Sequence, residues 1–231
     1  MNKISIIIPI LNEVDAIHRL FLHIENAISK TIEYEIIIVD GGSTDGSQKA
    51  IQNHQKALLI HSEKGRAKQL NAGAKVASGS LLYFLHCDSF PPKKFDLHIL
   101  EQVKKGNKAG CFRMKFDYSH PVLLVSQWFT RVNHILCRGG DQSLFVTKEL
   151  FKEIDGYDEK CIIYEDNEII KRLYQIGKFV VIPKYVITSA RRYRENGVWR
   201  LQYHFTIIHL MHQFGFEINK LEKYYLQKIK S

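Results

Sequence analysis

Carboxylates stand at the ends of several apolar runs in this chain, where they could bind a ligand. Asp40 ends one such run and opens the polar turn 41–46, Asp88 follows the run at 81–85, and Asp166 belongs to a later acidic cluster. A carboxylate can accept hydrogen bonds from hydroxyl or base-edge donors, ligate a hard divalent cation, or accept a proton. Ligands of open α/β sheets bind outside the C-terminal ends of the strands. The pattern therefore predicts a site for a nucleotide-like ligand.

The turn at 41–46 also has a structural interpretation. Ser43, Thr44 and Asp45 are good N-cap residues for a following helix, and the glycines of the turn can adopt a positive φ. Taken alone, Asp40 leaves both interpretations open. The segment Pro9-Ile10-Leu11-Asn12-Glu13 favours the functional one, because its polar residues would flank the same crevice if the first two strands are neighbours.

Alternating strand and helix patterns space these residues along the first half of the chain. Short apolar runs predict strands at 4–10, 35–39, 57–61 and 80–85, separated by helices near 13–30, 46–54 and 66–77. This order predicts an α/β fold with a mostly parallel central sheet, right-handed crossovers and flanking helices.

The pattern is less regular after Pro91-Pro92. It predicts strands at 109–116, 143–146 and 178–182, and helices at 93–105, 120–137, 147–154, 165–176 and within 197–229. No convincing linker separates the two halves. We therefore expect the second half to complete the sheet of the first.

Composition and charge limit the classes of protein that the chain can belong to. The 231 residues are 45% hydrophobic, which suits a single globular domain over 1–231. The formal net charge of +9 indicates an anionic partner, which could be a nucleotide diphosphate, a phospholipid headgroup or a nucleic acid. Charge alone does not choose among them.

The cysteines and the N-terminus predict a cytoplasmic protein. Cys87, Cys111, Cys137 and Cys161 form no Cys-x-x-Cys pair, so their spacing indicates neither a zinc site nor a disulfide framework. They are expected to be small buried side chains in a reducing compartment. The first residues do not resemble a cleaved signal peptide, and no apolar run is long enough to span a membrane.

The order of the first motifs resembles a known enzyme family. A strand ending in Pro9-x-x-Asn12-Glu13 is followed by a strand ending in Asp40 and the turn 41–46, while the glycine fingerprint of dinucleotide-binding folds is absent. This opening is similar to that of the family 2 glycosyltransferases, which have the GT-A fold. The resemblance implies that Asp40 accepts hydrogen bonds from a uracil-like edge and Glu13 from ribose. It also assigns donor contacts to four neighbours, namely Pro9, Asn12, Gly42 and Asp45.

Gly65 and Arg66 open a predicted helix, and a glycine with a cation at a helix N-terminus suits phosphate. In family 2 a similar Gly-Arg segment with a later Asn-x-Gly lies against the donor nucleotide, which implies donor contacts for Arg66 and Asn71. The alternative is a solvated arginine and a small-residue face that packs on the sheet. Packing on the sheet is the expected role of Ala72 and Gly73 in either case.

The run at 81–85 leads into His86-Cys87-Asp88, at the position where the family carries an Asp-x-Asp pair that binds a divalent cation. The resemblance implies Asp88 as a ligand of Mn²⁺ or Mg²⁺, with His86 in place of the first acid. An imidazole in that place removes a negative charge, so we expect weaker binding of the ion and a preference for Mn²⁺. His86 could instead contact a phosphate, and Asp88 could instead cap a helix.

Two later motifs resemble the acceptor side of the family. Inverting transfer needs a base across the sugar from the leaving diphosphate, and Asp166 of the Glu165-Asp166 pair is the candidate. Glu165 and Asp141 would orient that base or bind hydroxyls, and Gln142 would contact the donor. The alternative is that the acids of 165–168 only stabilise a helix N-terminus.

Arg191 and Arg192 are candidates to neutralise the leaving diphosphate, because guanidinium groups bind phosphates in a forked geometry. A solvated basic face is the alternative. The whole pattern is most similar to small family members connected with arsenosugar biosynthesis, which share the His-x-Asp and Gly-Asp-Gln variants. The resemblance divides the chain into a nucleotide-sugar half (1–90), an acceptor and catalytic half (91–190) and basic, aromatic C-terminal helices (191–231).

Three interpretations remain open for the aromatic residues of 197–231. They could form a helix docked on the core, an interfacial helix on the inner face of an anionic membrane, or the surface of a homodimer. A lipid-linked acceptor would favour the membrane. The histidines at 204, 209 and 212 are treated as ordinary polar side chains.

The sequence thus predicts an inverting glycosyltransferase that uses a nucleotide-diphosphate sugar, with UDP favoured, and a divalent cation. The acceptor is unknown and could be lipid-linked, and no specific nucleic acid is expected. Two alternatives are a sugar-phosphate nucleotidyltransferase and a basic nucleic-acid or lipid-binding module derived from a degenerate transferase. The first would carry a glycine-rich basic loop after strand one, where this chain has Leu11-Asn12-Glu13.

Overall fold

A computed structural model of the chain describes residues 3–52, 54 and 57–229, and it contains one eight-stranded mixed sheet. The strands are β1 (Lys3–Ile10), β2 (Glu33–Asp40), β3 (Ala57–His61), β4 (Leu81–Phe84), β5 (Ser89–Phe90), β6 (Ala109–Phe116), β7 (Leu144–Thr147) and β8 (Phe179–Thr188). Their order across the sheet is β3-β2-β1-β4-β7-β6-β8-β5. The pairs β3/β2, β2/β1, β1/β4 and β6/β8 are parallel, and β4/β7, β7/β6 and β8/β5 are antiparallel.

Ten α-helices cover this sheet and extend beyond it in the described part of the chain. They are α1 (Val14–Ala27), α2 (Ser47–Gln52), α3 (Arg66–Val76), α4 (Phe95–Lys104), α5 (Pro121–Phe129), α6 (Lys148–Glu153), α7 (Glu165–Ile176), α8 (Arg191–Asn196), α9 (Val198–Gln213) and α10 (Ile218–Lys228). The predicted helix at 46–54 ends at Gln52 in the structure. Residue 53 lies outside the described residues, as do the last two of the 197–231 segment.

The parallel half forms because its strands are apolar on both faces. Ile6 and Ile8 of β1 pack in the core beneath α1, whereas Ile7 points to the opposite core, which α3 covers. A period of two places alternate side chains on opposite faces, so a continuous isoleucine run is buried from both sides. Gly73 of α3 lies against this sheet, since a Cβ there would come within 2.4 Å of Ile7 Cγ2. The predicted packing of that small-residue face is confirmed.

The second half completes the same sheet, as expected, with β7 inserted antiparallel between β4 and β6. The predicted strand at 178–182 was too short, because β8 continues to Thr188. A register shift accommodates Pro183, since Ile182 pairs with Phe112 and Tyr185 with Arg113. A proline lacks a backbone donor, and a bulge lets the strand continue past it.

The predicted helix at 120–137 was wrong beyond Phe129. α5 ends at Phe129, and only a short 3₁₀ turn follows at Ile135–Cys137. The buried guanidinium of Arg138 donates hydrogen bonds to the carbonyls of Thr130 and Val132, the first at 3.1 Å. These carbonyls are therefore satisfied without a continuing helix, and the segment can turn toward the sheet.

The C-terminal helices α8, α9 and α10 form a small core of their own around Leu201, Ile208, Leu221 and Ile229. The short helix α8 was not predicted as a separate element. Cys87, Cys111 and Cys161 are buried, as expected, and Cys137 is half-buried. None of the helices in the described residues combines the length and apolar character needed to cross a bilayer.

Candidate active site

A cavity of about 1490 Å³ opens at the C-terminal ends of β1 and β4. Ligand sites of open α/β sheets occupy this edge, and the volume exceeds that of most single small-molecule sites. Eleven of the sixteen predicted site residues line it: Pro9, Glu13, Arg66, His86, Asp88, Asp141, Gln142, Glu165, Asp166, Arg191 and Arg192. They come from segments far apart in sequence, so the fold gathers them.

Five predicted residues do not line this cavity: Asn12, Asp40, Gly42, Asp45 and Asn71. Asp40 is fully buried, and its carboxylate accepts hydrogen bonds from the Ser43 amide at 3.0 Å and the Gln48 side chain at 2.7 Å. A uracil-like edge could reach Asp40 only if these hydrogen bonds were exchanged. The proposed nucleotide role of Asp40 therefore stays a prediction.

Asn12 and Asp45 connect the turns after β1 and β2. Asp45 accepts hydrogen bonds from the amides of Val14 at 3.0 Å and Ser47 at 2.9 Å, which are the first residues of α1 and α2. The Asn12 side chain accepts one from the Thr44 amide at 2.8 Å. These contacts match the structural interpretation of the turn, since carboxylate and amide oxygens here cap helices and join loops.

Asn71 ties α3 to a loop on the acceptor side. Its side chain donates to the carbonyl of Tyr157 and accepts from the amide of the same residue, both at 2.9 Å. The side-chain amide of Asn71 also donates to Glu159 at 2.9 Å. Both polar atoms of the Asn71 side chain thus support the loop in this structure, and its contact with the donor stays a prediction. Gly42 has a φ of +97°, as a glycine turn requires.

His86 lies between two carboxylates at the centre of the cavity. Its Nδ1 is 3.5 Å from an oxygen of Asp141, and its Nε2 is 3.5 Å from an oxygen of Asp166. Burial and the charge of Arg66 act to lower the pKa of His86, but hydrogen bonds to these two acids raise it to about 10. His86 is therefore an imidazolium in this arrangement, and it adds a positive charge where the family carries an acid.

Arg66 holds the acidic start of α7. Its guanidinium donates to Glu165 at 3.1 Å and lies 3.8 Å from Asp166. Burial and the adjacent Asp166 raise the pKa of Glu165, while Arg66 opposes that shift. Glu165 is thus bound to the arginine, whereas Asp166 faces both Arg66 and His86 from the cavity wall. Arg66 is therefore paired with these acids, although 48% of its side chain is exposed, and its donor contact stays a prediction.

Gly140 leaves the space that the Asp166 carboxylate and the His86 ring occupy. A Cβ at residue 140 would come within 1.9 Å of the Asp166 carboxylate and 2.8 Å of the His86 ring. A Cβ at the neighbouring Gly139 would meet nothing within 4 Å, so only one glycine of the pair is required by space. The glycine before Asp141 is therefore a condition for the position of Asp166.

Asp88 is the carboxylate best placed to hold a divalent cation. Burial raises its pKa, and no hydrogen bond to its carboxylate is found among the described residues. His86 has both ring nitrogens directed at acids, so its imidazole is not free to ligate an ion. No group of three His, Cys, Asp or Glu side chains in the described residues could hold a metal alone. The residues fit an ion of the Mg²⁺ type, bound through one carboxylate and completed by substrate phosphates.

Glu13 and Arg191 meet across the mouth of the cavity. The arginine donates to Glu13 Oε1 at 3.3 Å, while the other oxygen of Glu13 is buried without a partner in the described residues. Burial raises the pKa of Glu13, although Arg191 opposes the shift. An unpaired buried carboxylate oxygen is costly, so it is a natural acceptor for an incoming hydroxyl.

Arg192 reaches the cavity between two aromatic rings of the C-terminal helices. Its guanidinium lies 5.4 Å from the Phe205 ring centre and 5.8 Å from that of Tyr225, and it donates to the Tyr225 hydroxyl at 2.9 Å. This clamp orients a cation that still faces the site.

Sequence reasoning missed Arg138, which organises the wall that carries Asp141. It is buried and donates to Gln142 and to the carbonyls that follow α5. Gln142 in turn donates to the carbonyl of Cys137 at 2.7 Å. Gln142 was predicted to contact the donor, but its amide is engaged inside this wall. A lone arginine before two glycines gave no signal of such a role.

Tyr164 was also missed. It precedes the Glu165-Asp166 pair with a left-handed backbone (φ 69°), which is unusual for a bulky side chain. Its hydroxyl shares a hydrogen bond with Nδ1 of His209 on α9, and its ring lies 4.7 Å from that of His212. His209 and His212, which were treated as ordinary polar side chains, therefore contact the residue that precedes Glu165 and Asp166.

Part of the cavity lining is apolar and exposed. Its exposed apolar side chains include Phe129, Val132, Leu136, Ile162 and Leu226, of which Ile162 is 61% exposed. The charged centre and the apolar part belong to the same cavity. A ligand that fills both parts must be amphiphilic.

The chain is similar to known glycosyltransferases. The family described as Glycosyl transferase family 2 matches residues 5–150. An undecaprenyl-phosphate 4-deoxy-4-formamido-L-arabinose transferase from Proteus mirabilis is 32% identical over 201 residues, which cover 83% of this chain and 58% of that protein. A dolichol-phosphate mannosyltransferase from Pyrococcus furiosus is 31% identical over 46% of this chain and 31% of its own length.

Solved structures show the same fold. S. aureus TarS 1–349 in complex with UDP-GlcNAc superposes with a TM-score of 0.67 at 20% identity, over 81% of this chain and 58% of that one. TarS 1–349 without a named ligand gives 0.69 at 16% identity, over 96% and 69%. This likeness confirms the predicted GT-A fold.

The chain spans about six-tenths of the length of the Proteus relative and a smaller part of the archaeal one. The arsenosugar subgroup stays a prediction. The family match covers well over half of the chain and includes the segments that carry Glu13, Arg66, Asp88 and Asp141. The chain therefore belongs to the family 2 glycosyltransferases.

Proposed function

We propose that the protein transfers a sugar from a nucleotide-diphosphate sugar, with UDP favoured, to a hydroxyl acceptor with inversion at the anomeric carbon. The observation that carries this proposal is the convergence of Asp88, Asp141 and Asp166 on one cavity, with Asp166 facing two cationic side chains. The UDP-GlcNAc complex of TarS, which shares the fold, supports a nucleotide sugar as the donor.

In this proposal Asp166 accepts the proton of the acceptor hydroxyl. The acceptor oxygen forms a bond to the anomeric carbon while the bond from that carbon to the diphosphate breaks on the opposite face. The electron pair of the broken bond leaves with the diphosphate, and Arg191, Arg192 and the His86 imidazolium are the cations available to stabilise it. Glu165 keeps Arg66 in place, and Asp141 keeps His86 in place.

A divalent cation, Mn²⁺ or Mg²⁺, would be held by Asp88 together with the donor diphosphate. When bound, it supplies charge stabilisation for the departing diphosphate. Both ring nitrogens of His86 lie 3.5 Å from carboxylate oxygens, one of Asp141 and one of Asp166, so the imidazole is not a free ligand. We therefore assign His86 to the donor phosphate, which was the second of its two predicted roles.

For the acceptor we propose a hydroxyl carried by a lipid. The observation that favours it is the exposed apolar part of the cavity lining around Phe129, Leu136 and Ile162, which a sugar or nucleotide would not cover. The names of the Proteus and Pyrococcus relatives include undecaprenyl phosphate and dolichol phosphate, which support a lipid carrier but contain a phosphate and not a free hydroxyl. Such an acceptor would bring the protein to the inner face of a membrane.

Replacement of the base tests the proposed mechanism. A screen of UDP- and GDP-sugars, with nucleotide release as the readout, identifies the donor. Asp166→Asn should then lower turnover by about 10³-fold, because general base catalysis contributes on that order. Nucleotide affinity should stay near that of the wild type. Unchanged turnover would show that the base lies elsewhere or that the acceptor oxygen is already ionised.

Calorimetry tests the donor site and the cation. UDP should bind more tightly with Mn²⁺ than without it, and Asp88→Ala should remove that difference. The matched control is Asp45→Asn, since Asp45 belongs to a neighbouring turn and does not line the cavity. Equal, salt-sensitive binding of UDP, RNA and other polyanions would favour the basic binding module instead.

A further inference from the structure

Helices α5 and α9 lie side by side at the edge of the cavity. Ser126 of α5 donates to Gln202 of α9 at 3.4 Å. The ring of His120, which caps α5, lies 5.9 Å from that of Trp199 on α9. The two helices thus form one continuous piece of the surface, although Ser126 and Gln202 are 76 positions apart in sequence.

Each of these helices exposes an apolar stripe. The exposed side chains are Leu124, Val125, Trp128 and Phe129 on α5, and Trp199, Tyr203 and Leu210 on α9, with Phe214 at its C-terminal end. Spacings of three, four and seven residues recur among them, which places them on one side of each helix. We call these eight residues the α5–α9 surface. Trp199 and Phe214 are 72% and 78% exposed, values that are unusual for such large apolar side chains.

Arginines lie next to the α5–α9 surface in sequence. Arg131 follows α5, and Arg200 of α9 donates to the carbonyl of Lys228 on α10 at 3.2 Å; both are exposed. Arg194 lies 6.0 Å from the ring centre of Tyr118, next to His120, and is 3.6 Å from Asp117. Exposed tryptophans and tyrosines with arginines around them match the side chains of an interfacial helix on anionic lipid.

The surface continues into the cavity. Phe129 belongs to both, and Val132 and Leu136, which follow it in sequence, are 40% and 47% exposed while lining the cavity. Apolar side chains therefore continue from the α5–α9 surface into the lining of the cavity.

We propose that the α5–α9 surface docks on an anionic lipid bilayer, with both helices in the plane of the headgroups and the cavity opening toward the membrane. The docking itself does not depend on the sugar-transfer chemistry, but its use in presenting a lipid-borne acceptor rests on the proposed function. The surface includes α5, which lies outside the 197–231 segment predicted from sequence, and it leaves out α10.

Charge favours a bilayer over a second copy of the chain. In a two-fold dimer the surface would face its own copy, so Arg131, Arg194 and Arg200 of both copies would gather at one interface. Anionic headgroups would neutralise these arginines instead, and each basic side chain near such a surface strengthens the attachment.

Both tryptophans of the chain, Trp128 and Trp199, belong to the α5–α9 surface, so their fluorescence reports on it alone. The full chain is mixed with vesicles of phosphatidylcholine, or of phosphatidylcholine with phosphatidylglycerol. With the anionic vesicles we expect a blue shift of the emission, quenching by brominated lipid, and co-sedimentation that weakens as salt is raised. Emission that is unchanged with both kinds of vesicle would overturn the proposal.

The double variant Val125→Glu/Leu210→Glu keeps both tryptophans and every cavity residue, and it should weaken vesicle binding at least about tenfold. The matched control is Leu58→Glu/Ile176→Glu, which places the same charges at positions that are 49% and 50% exposed but lie elsewhere. Equal binding by the two variants would overturn the proposal. So would light scattering that shows a dimer in the wild type and a monomer only in the α5–α9 variant.

Calorimetry with UDP separates this proposal from the proposed function. Normal UDP binding by Val125→Glu/Leu210→Glu, together with lost vesicle binding, supports the docking surface and shows an intact site. If the wild type binds vesicles but no nucleotide, the proposed function fails and the docking surface stands. If it binds nucleotide but no vesicle, the docking surface fails and sugar transfer stands.

Discussion

Two acid-rich turns of this protein look alike in sequence but differ in what their carboxylates face. In the turn after β2, Asp40 and Asp45 accept hydrogen bonds from the backbone amides of Ser43, Val14 and Ser47. Across the cavity, by contrast, the acids Asp141 and Asp166 face the side chains of His86 and Arg66. A glycine pair follows Asp40, and another precedes Asp141.

This contrast identifies which acids are available for chemistry. A carboxylate that accepts from main-chain amides fixes loops and helix ends, and its loss should reduce stability more than turnover. A carboxylate that faces movable cations at a cavity wall can exchange those partners for a substrate. Substitutions at both kinds of position should show whether the two groups of acids separate in this way.

After replacement of Asp166 itself, the strongest effect should come from displacing its carboxylate through the neighbouring Gly140. Gly140→Ala would place a Cβ 1.9 Å from the present position of the Asp166 carboxylate, which must therefore move. A displacement of the base by about 1 Å is expected to lower turnover by about 100-fold. Steady-state nucleotide release measures this loss. Gly139→Ala is the control, since a Cβ there meets nothing within 4 Å, and equal losses in the two variants would contradict the prediction.

Glu35 belongs with Asp40 and Asp45, because all of its partners belong to the sheet and its adjoining turn. It accepts hydrogen bonds from the Ser5 hydroxyl and the Ser78 amide, and it pairs with Lys3 at 3.0 Å. Burial alone would raise the pKa of Glu35, but these hydrogen bonds lower it to about 2. Glu35→Gln should therefore reduce the free energy of unfolding at pH 7 by roughly 2 kcal/mol, with allowance for its partial exposure.

The pH dependence of that difference has a definite sign. The folded-state pKa of Glu35 lies below its ordinary value of 4.5, so the stabilisation is complete above pH 4.5. It declines as the pH falls toward 2, and more than half should be lost by about pH 3. Urea denaturation of the wild type and Glu35→Gln between about pH 7 and about pH 3 measures it. A difference that is constant with pH would exclude a role for the charge.

Replacement of Asp45 should reduce the free energy of unfolding somewhat less than replacement of Glu35. Asp45→Ala leaves the amides of Val14 and Ser47 without their acceptor, and the loss of such caps should cost about 1.5 kcal/mol of unfolding free energy. Denaturant titration measures the cost, with turnover measured on the folded protein at saturating donor. A loss of turnover larger than about tenfold in the folded variant would move Asp45 into the same group as Asp166.

The weakest effect on turnover should come from removing the hydrogen bond between Tyr164 and α9. Tyr164→Phe removes the hydrogen bond to His209 and should lower turnover up to about tenfold while nucleotide affinity stays the same, because the acids of α7 lose part of their support. His204→Gln is the control. His204 also bonds a tyrosine hydroxyl, that of Tyr224 at 2.8 Å, but that contact joins α9 to α10. Equal effects in both variants would indicate loss of helix packing alone.

The first half of the fold was predictable because its signals are local. Residues 4–10 are apolar except for Ser5, and residues 36–39 are all apolar. The turn 41–46 after the second of these strands carries glycine and capping residues. The later errors have a shared cause. Arg138 donates to a carbonyl that a continuing helix would otherwise use, and a register shift at Pro183 lets β8 continue. In both places contacts between distant residues decided the structure, and the local residue pattern did not.

The candidate site was predictable for a different reason. Asp88, Asp141 and Asp166 each follow an element boundary, where family 2 enzymes place their polar motifs. The acids that line the cavity could not be separated in advance from those that cap loops, because both kinds occur beside glycine and serine. Their partners make the distinction, and those partners come from other segments. Asp45, for instance, meets Val14, which is 31 residues away.

Local sequence was sufficient for the parallel strands, the helices between them, the excess of positive charge and the order of acidic motifs, since each depends on neighbouring residues or on composition. Long-range packing was needed to establish that His86 lies between Asp141 and Asp166, that Arg66 holds Glu165, and that α5 and α9 form one apolar surface. These relations join residues tens of positions apart. The free energy of burying and pairing them arises only when the sheet brings the segments together.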